Sequence, residues 1–128
     1  MLEIYVDGAS AGNPGLSGIG IFIKGEGQSL QISEAIGQSD NHTAEFIAMI
    51  RGLQEAQRLG STFVSVRSDS KIVVASIEKR HAKHFKELVA QVLELVDSFE
   101  LFFIKWVPSD QNRAADNLAR QGIQKNKH

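Results

Sequence analysis

Hydrophobic and polar residues alternate along the first third of the chain with the period of two that is typical of β-strands. The alternating segments run from Leu2 to Val6, from Ile19 to Lys24 and from Leu30 to Ile36. Turn-forming residues from Gly12 to Gly15 separate the first two segments, and Gly25-Glu26-Gly27 separates the second from the third. The pattern therefore predicts that the fold opens with three antiparallel strands, of which the last two form a hairpin.

From residue 41 onward, apolar residues recur at helical spacing, and these stretches alternate with shorter β-rich runs. The predicted elements are a helix capped at Asp40-Asn41 and ended by Gly60, a strand from Phe63 to Val66, a short helix from Ile72 to Ile77, a helix with an apolar stripe from Phe85 to Phe99, a strand from Leu101 to Val107, and a helix from Ala114 to Gly122. We expect residues 124–128 to fray. The order β-β-β-α-β-α-α-β-α predicts an α/β fold with a mixed five-stranded sheet, in which three antiparallel strands precede parallel strands and helices cover both faces.

Length and composition are those of an ordinary globular domain. The 128 residues, of which 42% are hydrophobic, supply one core, so we expect a single domain over residues 1–128. The absence of cysteine excludes disulfides, thiolate nucleophiles and cysteine-based zinc sites. The apolar runs are too short to span a bilayer, and the chain starts without a charged and apolar leader. We expect a cytoplasmic, free-standing monomer with no membrane contact.

Four acidic residues lie at the ends of predicted elements. Asp7, Asp69 and Asp116 each stand where an apolar segment meets a turn or a helix start. Glu45 lies near the start of the first long helix. Parallel pairing of the first and fourth strands would bring Asp7 and Asp69 side by side, and carboxylates crowded in this way repel unless they are protonated or hold divalent cations. Taken singly, each residue also has an ordinary explanation as a turn or helix cap, a solvated residue, or a charge that favours the helix dipole.

The segments around these residues resemble four motifs of the ribonuclease HI family. In chain order, the matching segments are Asp7-Gly8-Ala9-Ser10-Ala11-Gly12-Asn13-Pro14-Gly15, Asn41-His42-Thr43-Ala44-Glu45, Ser68-Asp69-Ser70 and Arg113-Ala114-Ala115-Asp116-Asn117-Leu118-Ala119. The resemblance implies a ribonuclease H-like fold and an endonuclease that hydrolyses the RNA strand of an RNA–DNA hybrid. It also implies two Mg²⁺ ions, or Mn²⁺ in their place, held by the catalytic carboxylates Asp7, Glu45, Asp69 and Asp116.

The resemblance further implies contacts with the minor groove of the hybrid. Small residues permit close approach of the backbone, and amide side chains can pair with 2′-hydroxyls. The expected contact residues are Gly8, Ala9, Gly12, Asn13, Asn41, His42 and Lys71. His42 and Lys71 stand where some relatives have amides, which puts the substrate preference in question more than the activity.

A basic segment, residues 79–86, follows the third motif. Because the formal net charge of the chain is −1, any binding of nucleic acid must rest on a local patch of this kind. The cations of the basic segment are Lys79, Arg80, Lys83 and Lys86. They could hold the phosphates of the DNA strand, or they could form a solvated surface between two helices, and the sequence favours neither. His81 and His84 have no third ligand nearby, so we interpret them as solvated rather than metal-binding.

The loop before the last motif departs from the family pattern. Well-studied bacterial members carry a histidine there, whereas residues 107–112 read Val-Pro-Ser-Asp-Gln-Asn. The sequence therefore leaves proton transfer without an assigned residue. Asp110 could take that role, but it is more simply explained as a loop or N-cap residue, and Asn112 competes for the same cap.

Aromatic residues of the first and last strands could stack on bases. We interpret them instead as core residues, because aromatic side chains on the central strands of a small domain are usually buried. These residues are Tyr5, Phe102, Phe103 and Trp106.

Two other functions are compatible with the same residues. The first is a module that binds hybrids but whose catalysis has decayed, since the loop histidine and a longer basic region are missing. The second is another nuclease on this fold, such as a resolvase-like enzyme. Mg²⁺-dependent cleavage of matched duplexes would distinguish these alternatives.

Overall fold

The strands of the computed structural model, which describes residues 1–127, form one mixed five-stranded sheet in the order β3-β2-β1-β4-β5. The strands are β1 Leu2–Ser10, β2 Gly15–Gly25, β3 Gln28–Ser39, β4 Phe63–Ser68 and β5 Leu101–Trp106. The helices are α1 Asn41–Arg58, α2 Lys71–Lys79, α3 Lys86–Val96 and α4 Arg113–Gln124, with short 3₁₀ helices at Ser109–Gln111 and Lys125–Lys127. Pairing is antiparallel from β3 through β2 to β1 and parallel from β1 through β4 to β5, which confirms the predicted fold class. Over the described part of the chain, no helix is long and apolar enough to cross a membrane.

The main hydrophobic core lies between one face of the sheet and helix α1. Alternate residues of the strands point to this face, and α1 supplies apolar residues at helical spacing. Fully buried members of this core include Leu2, Ile4, Ile21, Ile23, Phe46, Met49 and Leu53. The helix lies so close to the sheet that a Cβ at Gly52 would stand 2.9 Å from Cγ1 of Val6. This packing fixes α1 directly above β1.

Helix α4 packs on the opposite face of the sheet, directly against the backbone of β2. A Cβ added at Gly20 would lie 2.1 Å from the carbonyl oxygen of Ala115, and one at Gly18 would lie 2.4 Å from that of Ala119. Only glycine permits this close approach of helix and strand. The two glycines therefore bring the start of α4 close to β1, because Gly20 is the register partner of Asp7.

The segment predicted to fray has, over residues 124–127, helical conformation and side-chain contacts in the structure. Helix α4 continues to Gln124, and the 3₁₀ helix Lys125–Lys127 follows. The side chain of Asn126 donates from Nδ2 to the carbonyl of Ser17 at 2.7 Å and accepts from the backbone N–H of Gly37 at 3.0 Å. These bonds tie the segment to β2 and β3. The last residue of the predicted tail, residue 128, lies outside the described residues.

The prediction that the aromatic residues lie in the core is wrong for Phe103 and Trp106. Their exposed fractions are 51% and 39%, because β5 is an edge strand of the sheet and not a central one. Phe102 is half-buried against the core, as expected from its position on the covered face. Tyr5 is also half-buried, and the Arg67 guanidinium lies 5.3 Å from its ring centre on the face opposite α1.

Candidate active site

Three of the predicted carboxylates, Asp7, Glu45 and Asp69, meet at one edge of the sheet; we name them the carboxylate cluster. Parallel pairing of β1 with β4 places Val6 beside Ser68, so the next residue of each chain segment is an aspartate. One carboxylate oxygen from each member lies within 4.8 Å of the others. No other group of three acidic or histidine side chains is this close within residues 1–127.

Glu45 reaches the cluster because α1 lies against the backbone of β1. A Cβ at Gly8 would stand 2.5 Å from the carbonyl carbon of Ala44 and 2.7 Å from the nitrogen of Glu45. A larger residue at position 8 would push the helix, and Glu45 with it, away from Asp7. Gly8, which was predicted to contact substrate, therefore has a packing role in this structure.

Asp116 lies in the first turn of α4 and outside the 4.8 Å group. Its carboxylate accepts hydrogen bonds from Nε of Arg120, at 3.1 and 3.3 Å. It is nevertheless near enough to Asp7 to contribute to the raised pKa of that residue. The fourth predicted carboxylate is thus adjacent to the cluster, with an arginine as its present partner.

The cluster is electrostatically unfavourable when its members are ionised together. Burial, followed by the charges of Asp69 and Glu45, raises the pKa of Asp7 from its usual 3.8 to about 10. Burial is also the largest cause that raises the pKa values of Glu45 and Asp69. Oxygen-only donors that repel one another are well suited to hard divalent cations, so the residues present fit Mg²⁺ or a similar ion.

An exposed surface lies at the start of α1, the helix that carries Glu45. It is formed by four of the predicted groove contacts, Gly12, Asn13, Asn41 and His42. The side-chain oxygen of Asn13 accepts from the backbone N–H of Asn41 at 3.1 Å, which fastens the β1–β2 loop to the start of α1. Asp40 caps the helix by accepting from the N–H of Thr43 at 2.8 Å, and this bond is the main cause that lowers the pKa of Asp40. Ala9, on β1, is half-buried.

The basic segment connects α2 to α3, as the sequence predicts, and its four cations are exposed. Arg80 is engaged in an ion pair with Asp97 at 2.7 Å. Lys79 and Lys83 are exposed and line an open, mainly apolar groove together with Phe85. His81 and His84 are exposed and belong to no metal-binding group among the described residues.

Asn112 is a structural link that the sequence analysis missed. It occupies the N-cap position of α4 but makes no side-chain cap; its Nδ2 donates instead to the carbonyl of Val6 at 2.9 Å. The residue is 1% exposed, and its Oδ1 has no partner. Asp110, the competing cap candidate, lies exposed in the 3₁₀ helix Ser109–Gln111. Asn112 therefore joins the middle of β1, next to Asp7, to the helix that carries Asp116.

Trp106 is the second residue whose position the sequence did not reveal. Its indole Nε1 donates to the backbone carbonyl of Asp69 at 3.1 Å. The ammonium of Lys71, a predicted groove contact, lies 4.9 Å from the centre of the Trp106 ring. An aromatic residue on an edge strand has the same local sequence pattern as one on a central strand. The sequence pattern does not specify which strand lies at the edge, so it could not show that Trp106 is exposed.

Comparisons with known proteins agree with this fold. Residues 5–122 match the family described as reverse transcriptase-like. A protein of Enterococcus faecalis named EbsB, described provisionally as a hydrolase, is 43% identical over 98% of this chain and 96% of its own length. Two solved structures are also similar.

The first similar structure is the N-terminal ribonuclease H domain of Rv2228c from Mycobacterium tuberculosis, solved as a fusion with maltose-binding protein. It is 35% identical with a TM-score of 0.90, over 95% of this chain and 98% of that chain. This chain spans 35% of the length of the complete mycobacterial protein. The second is LC11 ribonuclease H1, solved in complex with an RNA/DNA hybrid. It is 30% identical with a TM-score of 0.89, over 100% of this chain and 100% of that chain.

Proposed function

The chain belongs to the reverse transcriptase-like family and is a ribonuclease H-like enzyme. From this premise we propose that it hydrolyses the RNA strand of RNA–DNA hybrids at the carboxylate cluster. The proposal assigns two divalent cations, Mg²⁺ or Mn²⁺, to the cluster together with Asp116. The observation that carries it is the convergence of Asp7, Glu45 and Asp69 within 4.8 Å at the end of parallel strands.

The protein's part in this reaction is to hold negative charge in a fixed arrangement. Asp7 is the most buried member of the cluster; its backbone is the register partner of Gly20 on β2 and follows Val6, the last residue of β1 that pairs with β4, so strand pairing fixes where its side chain starts. Asp116 is tied to Arg120 by an exposed ion pair, and such pairs are worth about 0–1 kcal/mol, so its carboxylate can turn toward a cation at small cost. Bound divalent cations supply Lewis-acid stabilisation of the attacking and leaving oxygens of the phosphodiester.

The substrate surface in this proposal is the exposed patch formed by the β1–β2 loop and the start of α1. Gly12 lets the backbone approach closely, and the amide groups of Asn13 and Asn41 can pair with 2′-hydroxyls, which distinguish RNA from DNA. The hydrogen bond between these two residues holds both segments in a fixed relation. The surface therefore offers a physical basis for cleaving RNA in a hybrid.

Proton transfer in this proposal relies on solvent. Residues 107–112 contain one titratable side chain, that of Asp110, and it is exposed to water. Protonation of the leaving oxygen by bulk water needs no dedicated acid, although a positioned acid would speed it. We accordingly expect turnover to respond little to Asp110→Asn.

The function is tested with matched duplexes of one sequence: an RNA–DNA hybrid, duplex DNA and duplex RNA, each incubated with and without Mg²⁺. We expect cleavage of the RNA strand in the hybrid, in Mg²⁺ only, and reduced cleavage next to 2′-deoxy substitutions in that strand. Equal cleavage of all three duplexes would contradict the strand preference and favour a resolvase-like enzyme. Tight binding of the hybrid without cleavage would favour a binding module.

A further inference from the structure

The indole ring of Trp106 stands at the end of β5, beside the turn that carries Asp69. Trp106 is the register partner of Ser68, the last residue of β4, so its side chain reaches the residue that follows the strand. The ring is 39% exposed. Its Nε1–H donates to the carbonyl oxygen of Asp69 at 3.1 Å. An exposed tryptophan that uses its polar edge on a backbone carbonyl next to the carboxylate cluster is not explained by core packing.

The turn from β4 to α2 is held at its other positions by its own residues. The N–H of Ser70 donates to Oγ of Ser68 at 3.1 Å, and Oγ of Ser70 caps α2 by accepting from Val73. The backbone of β5 continues the ladder by one bond, from Val107 N–H to the carbonyl of Ser68 at 3.0 Å. Between these points, the Trp106 side chain links the peptide of Asp69 itself to the neighbouring strand.

The face of the same ring contacts a cation. The ammonium of Lys71 lies 4.9 Å from the ring centre, within the range of a cation–π interaction. Lys71 is exposed and follows Asp69 by two residues, at the first position of α2. A long side chain at an exposed helix start would otherwise sample many rotamers, so the ring limits where this positive charge can lie.

We propose that Trp106 is a positioning residue for the reaction: its N–H fixes the peptide of Asp69 for cation binding, and its ring holds the Lys71 ammonium next to the carboxylate cluster, in place to contact the substrate. This inference rests on the proposed function. The Trp106 side chain thus has two separable effects. The N–H acts through Asp69, and the ring acts through the positive charge of Lys71.

Variants of Trp106 and Lys71 separate the two effects. Trp106→Phe removes the N–H and keeps an aromatic face under Lys71. Lys71→Gln removes the charge and leaves the bond to Asp69. Phe103→Leu changes another exposed aromatic residue of the same strand, 51% exposed against 39% for Trp106, that lies three residues away, so it serves as the control.

The first measurement is calorimetric binding of Mn²⁺ alone to the full chain. We expect Trp106→Phe to bind Mn²⁺ about threefold to tenfold more weakly than the wild type, as the loss of one hydrogen bond predicts, and the other two variants to bind as the wild type does. Wild-type affinity in Trp106→Phe, or an equal loss in Phe103→Leu, would overturn the inference about Asp69.

The second measurement is hybrid cleavage at saturating Mn²⁺. We expect Lys71→Gln to raise KM about threefold or more with kcat nearly unchanged, and Lys71→Arg to restore the wild-type KM. Trp106→Leu, which removes the ring under Lys71, should raise KM as Lys71→Gln does, whereas Trp106→Phe, which keeps a ring, should change KM much less. An unchanged KM in Lys71→Gln would overturn the inference about Lys71, and an unchanged KM in Trp106→Leu would overturn the role of the ring. If the wild type cleaves no hybrid, the proposed function fails, whereas the binding of Mn²⁺ still decides the role of Trp106 toward Asp69.

Discussion

The side chain of Asn112 donates a hydrogen bond to the backbone carbonyl of Val6 at 2.9 Å, across a separation of 106 residues. Val6 precedes Asp7, and the carbonyl of Asn112 accepts the backbone N–H of Asp116 at 3.0 Å. One buried residue, through its side-chain amide and its backbone carbonyl, thus connects the strand next to Asp7 with the helix turn that carries Asp116. The relative position of these two carboxylates depends on this contact as well as on the packing of α4 against Gly18 and Gly20.

We expect Asn112→Ala to lower the free energy of unfolding by about 1–3 kcal/mol, because it leaves the buried carbonyl of Val6 without its donor. It should also weaken Mn²⁺ binding, since Asp7 and Asp116 lose their common anchor. Urea denaturation and calorimetry measure the two effects. Asp110→Ala, in the same loop but exposed, is the control; an equal loss in both variants would show that the loop as a whole, and not the Val6 contact, is responsible.

Asp69→Asn should fold normally and melt at a higher temperature than the wild type in metal-free buffer. Burial raises the pKa of Asp69, so its ionised form is less favourable in the folded chain than in the unfolded chain near neutral pH. The neutral asparagine side chain avoids both this cost of burying a charge and the repulsion from neighbouring carboxylates. Calorimetric melting in EDTA measures the change, with Asp110→Asn as the control outside the cluster. A lower melting temperature in Asp69→Asn would contradict this electrostatic account.

The metal-free protein should lose stability as the pH rises. The pKa of Asp7 is raised from 3.8 to about 10, so the folded chain binds this proton more tightly than the unfolded chain does. The contribution is fully present below the unfolded pKa and is lost as the pH rises toward the folded pKa. We expect the free energy of unfolding in EDTA to fall between about pH 5 and about pH 9, and to fall less steeply in Asp7→Asn. Parallel slopes in the two proteins would assign the pH dependence to other groups.

Neutralising Lys83 and Lys86 together should raise KM for the hybrid and leave kcat nearly unchanged, because exposed cations on this segment would act on binding and not on chemistry. The slope of log affinity against log salt concentration should decrease by about one for each lost phosphate contact. The matched control is Lys24→Gln with Lys127→Gln, which removes the same charge from other exposed positions. If both double variants behave alike, the basic segment is only a solvated surface.

Local pattern was sufficient to predict the sheet and the meeting of Asp7 with Asp69. The alternation in β1 and β2 reports burial directly, and parallel pairing places the residues after Val6 and Ser68 side by side. Such predictions depend on neighbouring positions in sequence or on one strand pairing. They succeed because period and turn chemistry are properties of short segments.

The predictions that failed depend on contacts between distant segments. Phe103 and Trp106 have the composition of core residues, but β5 lies at the edge of the sheet. Phe103 points to the face on which α4 packs over β2 and leaves β5 uncovered, and Trp106 is the last residue of the strand, so both rings remain exposed. The bonds of Asn126 to β2 and β3, and the bond of Asn112 to the carbonyl of Val6, likewise lie outside what the sequence predicts. No local pattern specifies partners about 90 to 110 residues away.

The central claim is that the carboxylate cluster holds the divalent cations that cleave the RNA strand of a hybrid. It is tested most directly by incubating an end-labelled RNA–DNA hybrid with the wild type and with folded Asp69→Asn, over a titration of Mg²⁺. We predict cleavage of the RNA strand that rises with Mg²⁺ in the wild type and is abolished in Asp69→Asn at every concentration. Near wild-type, Mg²⁺-dependent cleavage by Asp69→Asn, or wild-type cleavage that persists in EDTA, would contradict the claim.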